Sequence, residues 1–187
     1  MSRTMMICMF ATTIAVSVAC PAQTPRVIAQ KLYDQLDQSY ANHDLNRVLG
    51  FYDSSFVDTD AQGKRVAFAV WQRQEEQIFP LFRNINPNTT VESVQLEAGR
   101  MVVYVKSEWH FEFHDQRDGW VPKIFNGTAE DTWERKGGQW KLVRGHTLRA
   151  KTQVDPKWEA EKNAMRQRAI DDARDIIRCS GGCPPPR

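Results

Sequence analysis

The chain is poor in cysteine, carries no excess charge of either sign, and contains only one long apolar run. Its 4 cysteines sit at the two ends, Cys8 and Cys20 near the start and Cys179 and Cys183 near the finish. No CxxC pair or neighbouring ligand set accompanies them, which removes thiolate metal sites and thioredoxin-like redox chemistry. Lys and Arg number 25 against 23 Asp and Glu. That balance offers no electrostatic footing for nucleic acid or an anionic membrane. There is no P-loop, no GxSxG elbow and no HExxH, so the most legible nucleotide, serine-hydrolase and zinc-protease signatures are absent. What is present is globular: 41% hydrophobic and 26% charged residues over 187 positions, enough for one domain with a short appendage.

The apolar run lies at the N-terminus and reads as a secretory signal over residues 1–22. Arg3 supplies the basic start, and residues 5–18 carry no charge, a length too short to span a bilayer as a helix. Cys20 and Ala22 are small residues placed for a cut before Gln23. A rival cut follows Ala19, because Val18-Ala19-Cys20 is part of a lipobox, although Ser17 stands where a large aliphatic residue belongs. The expectation is a secreted or periplasmic protein with no membrane span, the alternative being a lipoprotein anchored through Cys20. An oxidising compartment would allow Cys179 and Cys183 to close across Ser180-Gly181-Gly182.

From Thr24 the pattern is helical. Thr24 is placed to cap and Pro25 to occupy the first helical position, with Ile28, Leu32, Leu36 and Tyr40 recurring every four residues. Asp44 caps a second short helix through Leu45, Val48, Leu49 and Tyr52. Residues 56–60 read as a short strand closed by a turn at 61–64, where Asp58 and Asp60 suit turn chemistry better than catalysis. A third helix carries Phe68, Trp71, Glu75, Ile78, Phe79 and Phe82, and Asn84 to Asn88 break it. Beyond Thr89 the period changes to two. Strands are predicted over 89–97, 100–114, 123–135 and 139–152, joined by glycine-bearing turns that end with Gly137-Gly138. Asp155 and Pro156 open a last helix to about residue 178 with a thin apolar stripe. The domain limits are therefore 1–22, 23–154, 155–178 and a Cys/Pro tail, 179–187.

Two stretches carry a family resemblance. Phe51-Tyr52-Asp53-Ser54-Ser55-Phe56-Val57-Asp58-Thr59-Asp60-Ala61-Gln62-Gly63 and the closing Trp133-Glu134-Arg135-Lys136-Gly137-Gly138-Gln139-Trp140-Lys141-Leu142-Val143-Arg144-Gly145-His146-Thr147 resemble SnoaL-like members of the nuclear transport factor two superfamily, the group that includes ketosteroid isomerase. The resemblance covers roughly residues 25–154. It implies an α+β cone, a curved antiparallel sheet wrapped over three N-terminal helices, here with an extra C-terminal helix. It also implies a pocket inside the cone and a homodimer. The family hosts isomerases, cyclases, dehydratases and members without known activity, so the fold alone does not name a function.

Parity then assigns faces. Met101, Val103, Val105, Ser107, Trp109, Phe111 and Phe113 share the apolar side of their strand, with Tyr104 opposite. Phe125, Gly127, Ala129, Asp131 and Trp133 are expected inward, as are Trp140, Leu142, Arg144, His146 and Leu148. A two-residue turn at Gly137-Gly138 would set Asp131 against Arg144 and Ala129 against His146. The candidate catalytic set is His146, Asp131 and Arg144, with His146 the proton carrier because its ordinary pKa already suits neutral pH. Arg144 would hold the Asp131 carboxyl low. Trp109, Trp133, Phe111, Tyr52 and Trp71 are the expected ligand walls. A bulge, for which Gly145 is the natural place, would invert all of this beyond it. The same set reads equally well as a structural ion pair with a core histidine.

His110, Glu112 and His114 alternate on one strand, but three polar residues on a solvated face explain that spacing without a metal, and no metal or other cofactor is expected. The carboxylate base with phenol-and-acid oxyanion hole of the ketosteroid isomerases is not assembled here, since Tyr104 is outward, and isomerase activity is therefore disfavoured. The leading expectation is an exported pocket protein for a small apolar or amphipathic molecule. The alternatives are a lyase, isomerase or hydrolase using His146 with Asp131 and Arg144, and an envelope interaction module using the last helix. Whether there is catalysis is open at this point.

Overall fold

The structure is a computed structural model that describes residues 24–180, and the side chains of those up to 172. The expectations for residues 1–22, including Cys20, and for the Cys179–Cys183 pair lie outside the described residues and side chains. Helix α1 spans Pro25–Ala41, α2 Leu45–Leu49 and α3 Phe68–Ile78, followed by a single 3-10 turn at Phe79–Leu81. Strands β1 to β6 span Tyr52–Thr59, Arg65–Ala67, Phe82–Glu97, Arg100–Asp115, Gly119–Lys136 and Gln139–Val154, and α4 spans Pro156–Ser180. The strands form one sheet in the order β2-β1-β6-β5-β4-β3. All neighbours are antiparallel except β1 and β6, which run parallel. This is the expected α+β cone.

Local chemistry accounts for most boundaries. Asp44 caps α2 through a 3.0 Å bond accepted from the Arg47 N–H. Thr24 sits at the cap position of α1 but makes no side-chain cap bond, leaving Pro25 and the Thr24 carbonyl to start the helix. Asp155 receives the Lys157 N–H at 2.9 Å and starts α4. Gly137 and Gly138, with φ 55° and 83°, form the two-residue turn that sets Lys136 opposite Gln139. Several predicted boundaries shift: α3 ends at Ile78 and not Phe82, and β5 starts at Gly119 and not 123. Tyr52 opens β1 instead of closing α2, and the Asn84–Asn88 segment lies inside β3 as an irregularity, with Asn84 at φ 50°.

The core lies between α1 and the concave sheet face. Ala29, Tyr33, Leu36 and Tyr40 bury the helix against Val91, Met101, Val103, Val105 and Trp133. Helix α1 also satisfies the free edge of β3. Gln30 donates to the Thr89 carbonyl and accepts from the Val91 N–H, both at 2.8 Å, and Arg26 donates to the Val91 carbonyl at 2.9 Å. Asp37 accepts from the Thr89 N–H at 2.7 Å and from its hydroxyl at 3.0 Å. Side chains thus occupy hydrogen-bonding positions that another strand would otherwise take. Helix α4 is tied back through Lys162, which pairs with Asp118 at 2.6 Å and lies over the Trp158 ring.

Candidate functional site

The cone encloses a cavity of about 380 Å³. Helix α1 contributes Tyr33, Leu36, Asp37 and Tyr40, and α3 contributes Trp71, Glu75 and Ile78. Strand β1 adds Tyr52, Phe56 and Asp58, while β4 adds Val105, Ser107, Trp109 and Phe111. From β5 come Phe125, Ala129 and Asp131, and from β6 Leu142, Gly145, Thr147 and Thr152. Four of the five expected wall residues, Trp109, Phe111, Tyr52 and Trp71, therefore line it. Trp133 does not. It is fully buried behind the wall, edge-on to Tyr33 at 5.6 Å between ring centroids.

The expected polar trio is not brought together. Up to Leu142 the predicted register holds, with Trp133 opposite Leu142. Beyond it Thr132 opposes Arg144, Asp131 opposes Gly145 and Glu130 opposes His146. Val143 is the extra residue of a bulge, two positions before the glycine expected to host one. Its insertion inverts the faces, so Gly145 and Thr147 point inward while Arg144 and His146 leave the cavity wall. Arg144 is exposed and Leu148 is 37% exposed, where both were expected inside. A second extra residue at Leu148, between Ala129–Thr147 and Thr128–Arg149, restores the original parity and brings Thr152 inward. Gly145 is also where β1 side chains press closest. A Cβ there would stand 3.2 Å from Asp58 Oδ1 and 3.3 Å from Phe56 Cζ.

Asp131 stays inward, but its partner is a phenol and not a guanidinium. The Tyr33 hydroxyl donates to Asp131 Oδ2 at 2.6 Å, and the Trp133 indole N–H donates to the Tyr33 oxygen at 3.1 Å. His146 reaches this carboxylate only through its backbone N–H. Burial pushes the Asp131 carboxyl up to about 7, against the hydrogen bond from Tyr33, and the charge of Asp58 adds to the rise. The expectation that Arg144 holds it low is thereby reversed. Burial, with Asp58 second, pushes Glu75 up to about 7 as well. Asp58 itself is raised by burial, opposed by the Thr59 backbone N–H. Asp37 rises to about 6 for the same first reason, against its bonds with Thr89. Burial pushes the Tyr33, Tyr40 and Tyr52 hydroxyls upward, so all three are neutral donors at physiological pH.

Three site residues were missed or misassigned from sequence. Asp58 was read as a turn residue. In the structure Asp60 takes the turn, accepting from the Gln62 and Lys64 N–H groups, and Asp58 lines the cavity. Glu75 was visible as the one charged member of an otherwise apolar helical stripe. Tyr33 lay one position off the α1 stripe that was followed. Through Tyr33 and Asp131 a phenol and a buried acid do meet, with the phenol coming from a helix and not a strand. On the outer face the suspected metal spacing is dispersed. His110 Nε2 pairs with Glu108 at 3.1 Å, Glu112 pairs with Arg83, and His114 packs edge-on to Trp120.

No family model and no curated protein matches this sequence. Solved structures share the fold. A protein from Novosphingobium aromaticivorans described as "Putative Scytalone Dehydratase" superimposes with TM-score 0.56 at 13% identity, covering 66% of this chain and 83% of that one. A protein of the NTF2-like family from Streptomyces avermitilis gives 0.53 at 11% identity over 66% and 94%. The protein LinA gives 0.54 at 14% over 68% and 85%. At these identities the likeness is one of fold, and the fold is the NTF2-like cone that the sequence resemblance implied.

Proposed function

We propose that this protein is an exported small-molecule pocket protein, holding one compact, largely apolar molecule inside the cone. The carrying observation is the cavity itself: aromatic and aliphatic walls with a few converging polar groups, the usual form of a small-molecule site. Trp71, Tyr52 and Phe56 supply flat apolar area, and Tyr33, Asp131, Asp58 and Glu75 supply orientation. Export is supported by the apolar, Arg3-headed N-terminus, with the mature chain starting at Gln23 or at a lipidated Cys20. N-terminal sequencing decides between those two, and an intact Met1 in protein from its source rejects both. Native mass spectrometry of the same material tests the pocket. A small-molecule adduct that disappears in a Trp71→Ala/Tyr52→Ala variant is expected. A clean spectrum, with no melting-temperature change across a panel of small aromatic compounds, would sink the reading.

One observation favours catalysis as a second reading. Burial, with the Asp58 charge second, raises Glu75 to about 7, and burial raises Asp58 as well; two neighbouring carboxyls of this kind support a base, Asp58, beside an acid, Glu75. The reaction would be a lyase- or isomerase-type proton transfer, without the His146 side chain. Deuterium uptake by an enolisable ketone such as 2-tetralone should fall by roughly 10²–10⁴ in Asp58→Asn. It should change little in His146→Ala; the opposite ranking would return the proton to His146.

A further inference from the structure

The cavity has an unbalanced charge inventory. Asp58, Glu75 and Asp131 line it, with Asp37 at its α1 wall, and among the described residues no Lys, Arg or His side chain does. Asp131 and Asp37 have their own donors in Tyr33 and Thr89. Glu75 makes no hydrogen bond or ion pair among the described residues, and the groups that interact with it electrostatically are the Asp58 carboxyl and the Tyr40 and Tyr52 phenols, none of them a cation. A carboxylate withdrawn from water and left without a cation is costly, so a ligand that supplies the cation gains free energy that a neutral one does not.

The aromatic side chains near Glu75 form one packed cluster at the cavity wall. Trp71 precedes Glu75 by one helical turn, so both project from the same face of α3. Tyr52 lies 4.2 Å from Trp71 between ring centroids, and Phe56 lies 5.4 Å from Trp71 and 4.8 Å from Tyr52. Asp58 follows two residues after Phe56 on β1, on the same strand face. Three rings and two carboxyls thus converge from α3 and β1 on one end of the cavity. Rings attract a cation through their faces, and carboxylates attract it through charge, the combination that recognises alkylated ammonium groups. An anionic ligand would meet the charges of Glu75 and Asp58 there with no cation to offset them among the described lining residues.

We propose that the cavity binds a small organic cation, a protonated or quaternary amine on a compact apolar body, with its ammonium between Glu75, Asp58 and the rings of Trp71, Tyr52 and Phe56. This rests on the pocket reading above and adds the charge of the occupant. The apolar body would lie toward Trp109, Phe111 and Phe125, away from the carboxyls. Groups that set the local charge are Tyr33, Asp37 and Tyr40 from α1, Tyr52 and Asp58 from β1, Glu75 from α3 and Asp131 from β5. From the far side of β6, His146 also acts on Asp58. Because Glu75 holds its proton up to about 7, cation binding near neutral pH should expel it.

The test is a matched pair of probes on the full chain, read by tryptophan fluorescence and calorimetry at pH 7. Benzyltrimethylammonium carries the charge, and neopentylbenzene is its neutral isostere. The cation is expected to bind at least about tenfold more tightly, with proton release visible as a buffer-dependent heat. Glu75→Gln, and separately Asp58→Asn, should remove most of that preference and bring the dissociation constants of the two probes together. Equal or tighter binding of neopentylbenzene to the wild type would overturn the cation proposal and leave the pocket reading standing. Binding of neither probe would overturn both. Should one carboxyl variant fail to fold, the other still decides the preference.

Discussion

Among individual residues, Tyr33 has the most depending on it. Its hydroxyl donates to Asp131 and accepts from Trp133, so Tyr33→Phe leaves a buried carboxyl with the His146 backbone N–H alone and a buried indole N–H without a partner. Losing one such bond costs roughly 1–3 kcal/mol, and the carboxyl should hold its proton to still higher pH. Urea denaturation of the variant measures the first effect; a midpoint equal to the wild type would show the chain of bonds to be idle. Gly145→Ala tests the other tight spot. The new Cβ would press on Asp58 and Phe56, and overpacking of that kind typically costs about 1–3 kcal/mol. At this scale the sequence showed the aromatic walls and Asp131, and hid Asp58. Large rings at alternate strand positions declare their face by hydropathy, as Trp109 and Phe111 did. A single carboxyl such as Asp58 looks the same whether it turns a loop or enters a cavity.

The element that most changes the site is β6. Its bulge at Val143 is what separates His146 from the cavity, since the ladder on either side follows ordinary antiparallel pairing. Faces on β4 and β5 were legible because those strands keep strict alternation across their shared ladder. The β6 faces were legible only as far as Leu142, because nothing in Leu142-Val143-Arg144 marks which residue stands outside the ladder. Bulges are set by what the neighbours need, and here β1, pairing in parallel beside β6, shifts its register over the same stretch. Helix α1 was found from its period, but its tether to the β3 edge through Gln30 and Asp37 depends on residues 52 to 61 positions away, beyond any local pattern. Deleting Val143 should make Leu142 and Arg144 neighbours in an unbroken ladder, keep Arg144 opposite Thr132 and His146 opposite Glu130, and lower the melting temperature by several degrees because β1 loses the register it pairs with. Unchanged melting would mean that β1 pairs with β6 equally well without the bulge.

The whole molecule should show its buried carboxyls in the pH dependence of stability. Asp131 and Glu75 are raised to about 7, Asp37 to about 6, and Asp58 is raised too, all chiefly by burial. In the unfolded chain these groups return to ordinary values, 3.8 for Asp and 4.5 for Glu. Below those values both states hold the protons and the folded state carries no penalty. Between about 4 and 7 the unfolded chain releases its protons first, so stability falls as pH rises, and the fall levels off once the folded groups have titrated. Exposed carboxyls act in the opposite sense. Asp53, Asp115 and Glu134 are held low by hydrogen bonds and nearby Lys or Arg side chains, but solvent screening keeps their share small. The buried set should dominate, with Asp131 alone shifting stability by on the order of a few kcal/mol. Unfolding free energies at pH 4.5, 6 and 7.5 should therefore decline in the wild type. They should decline less in Asp131→Asn, which keeps an oxygen for Tyr33 and has no proton to lose. A wild type that gains stability over the same range would mean that these carboxyls ionise freely in the folded state. The cavity would then be wetter and less apolar than its walls indicate.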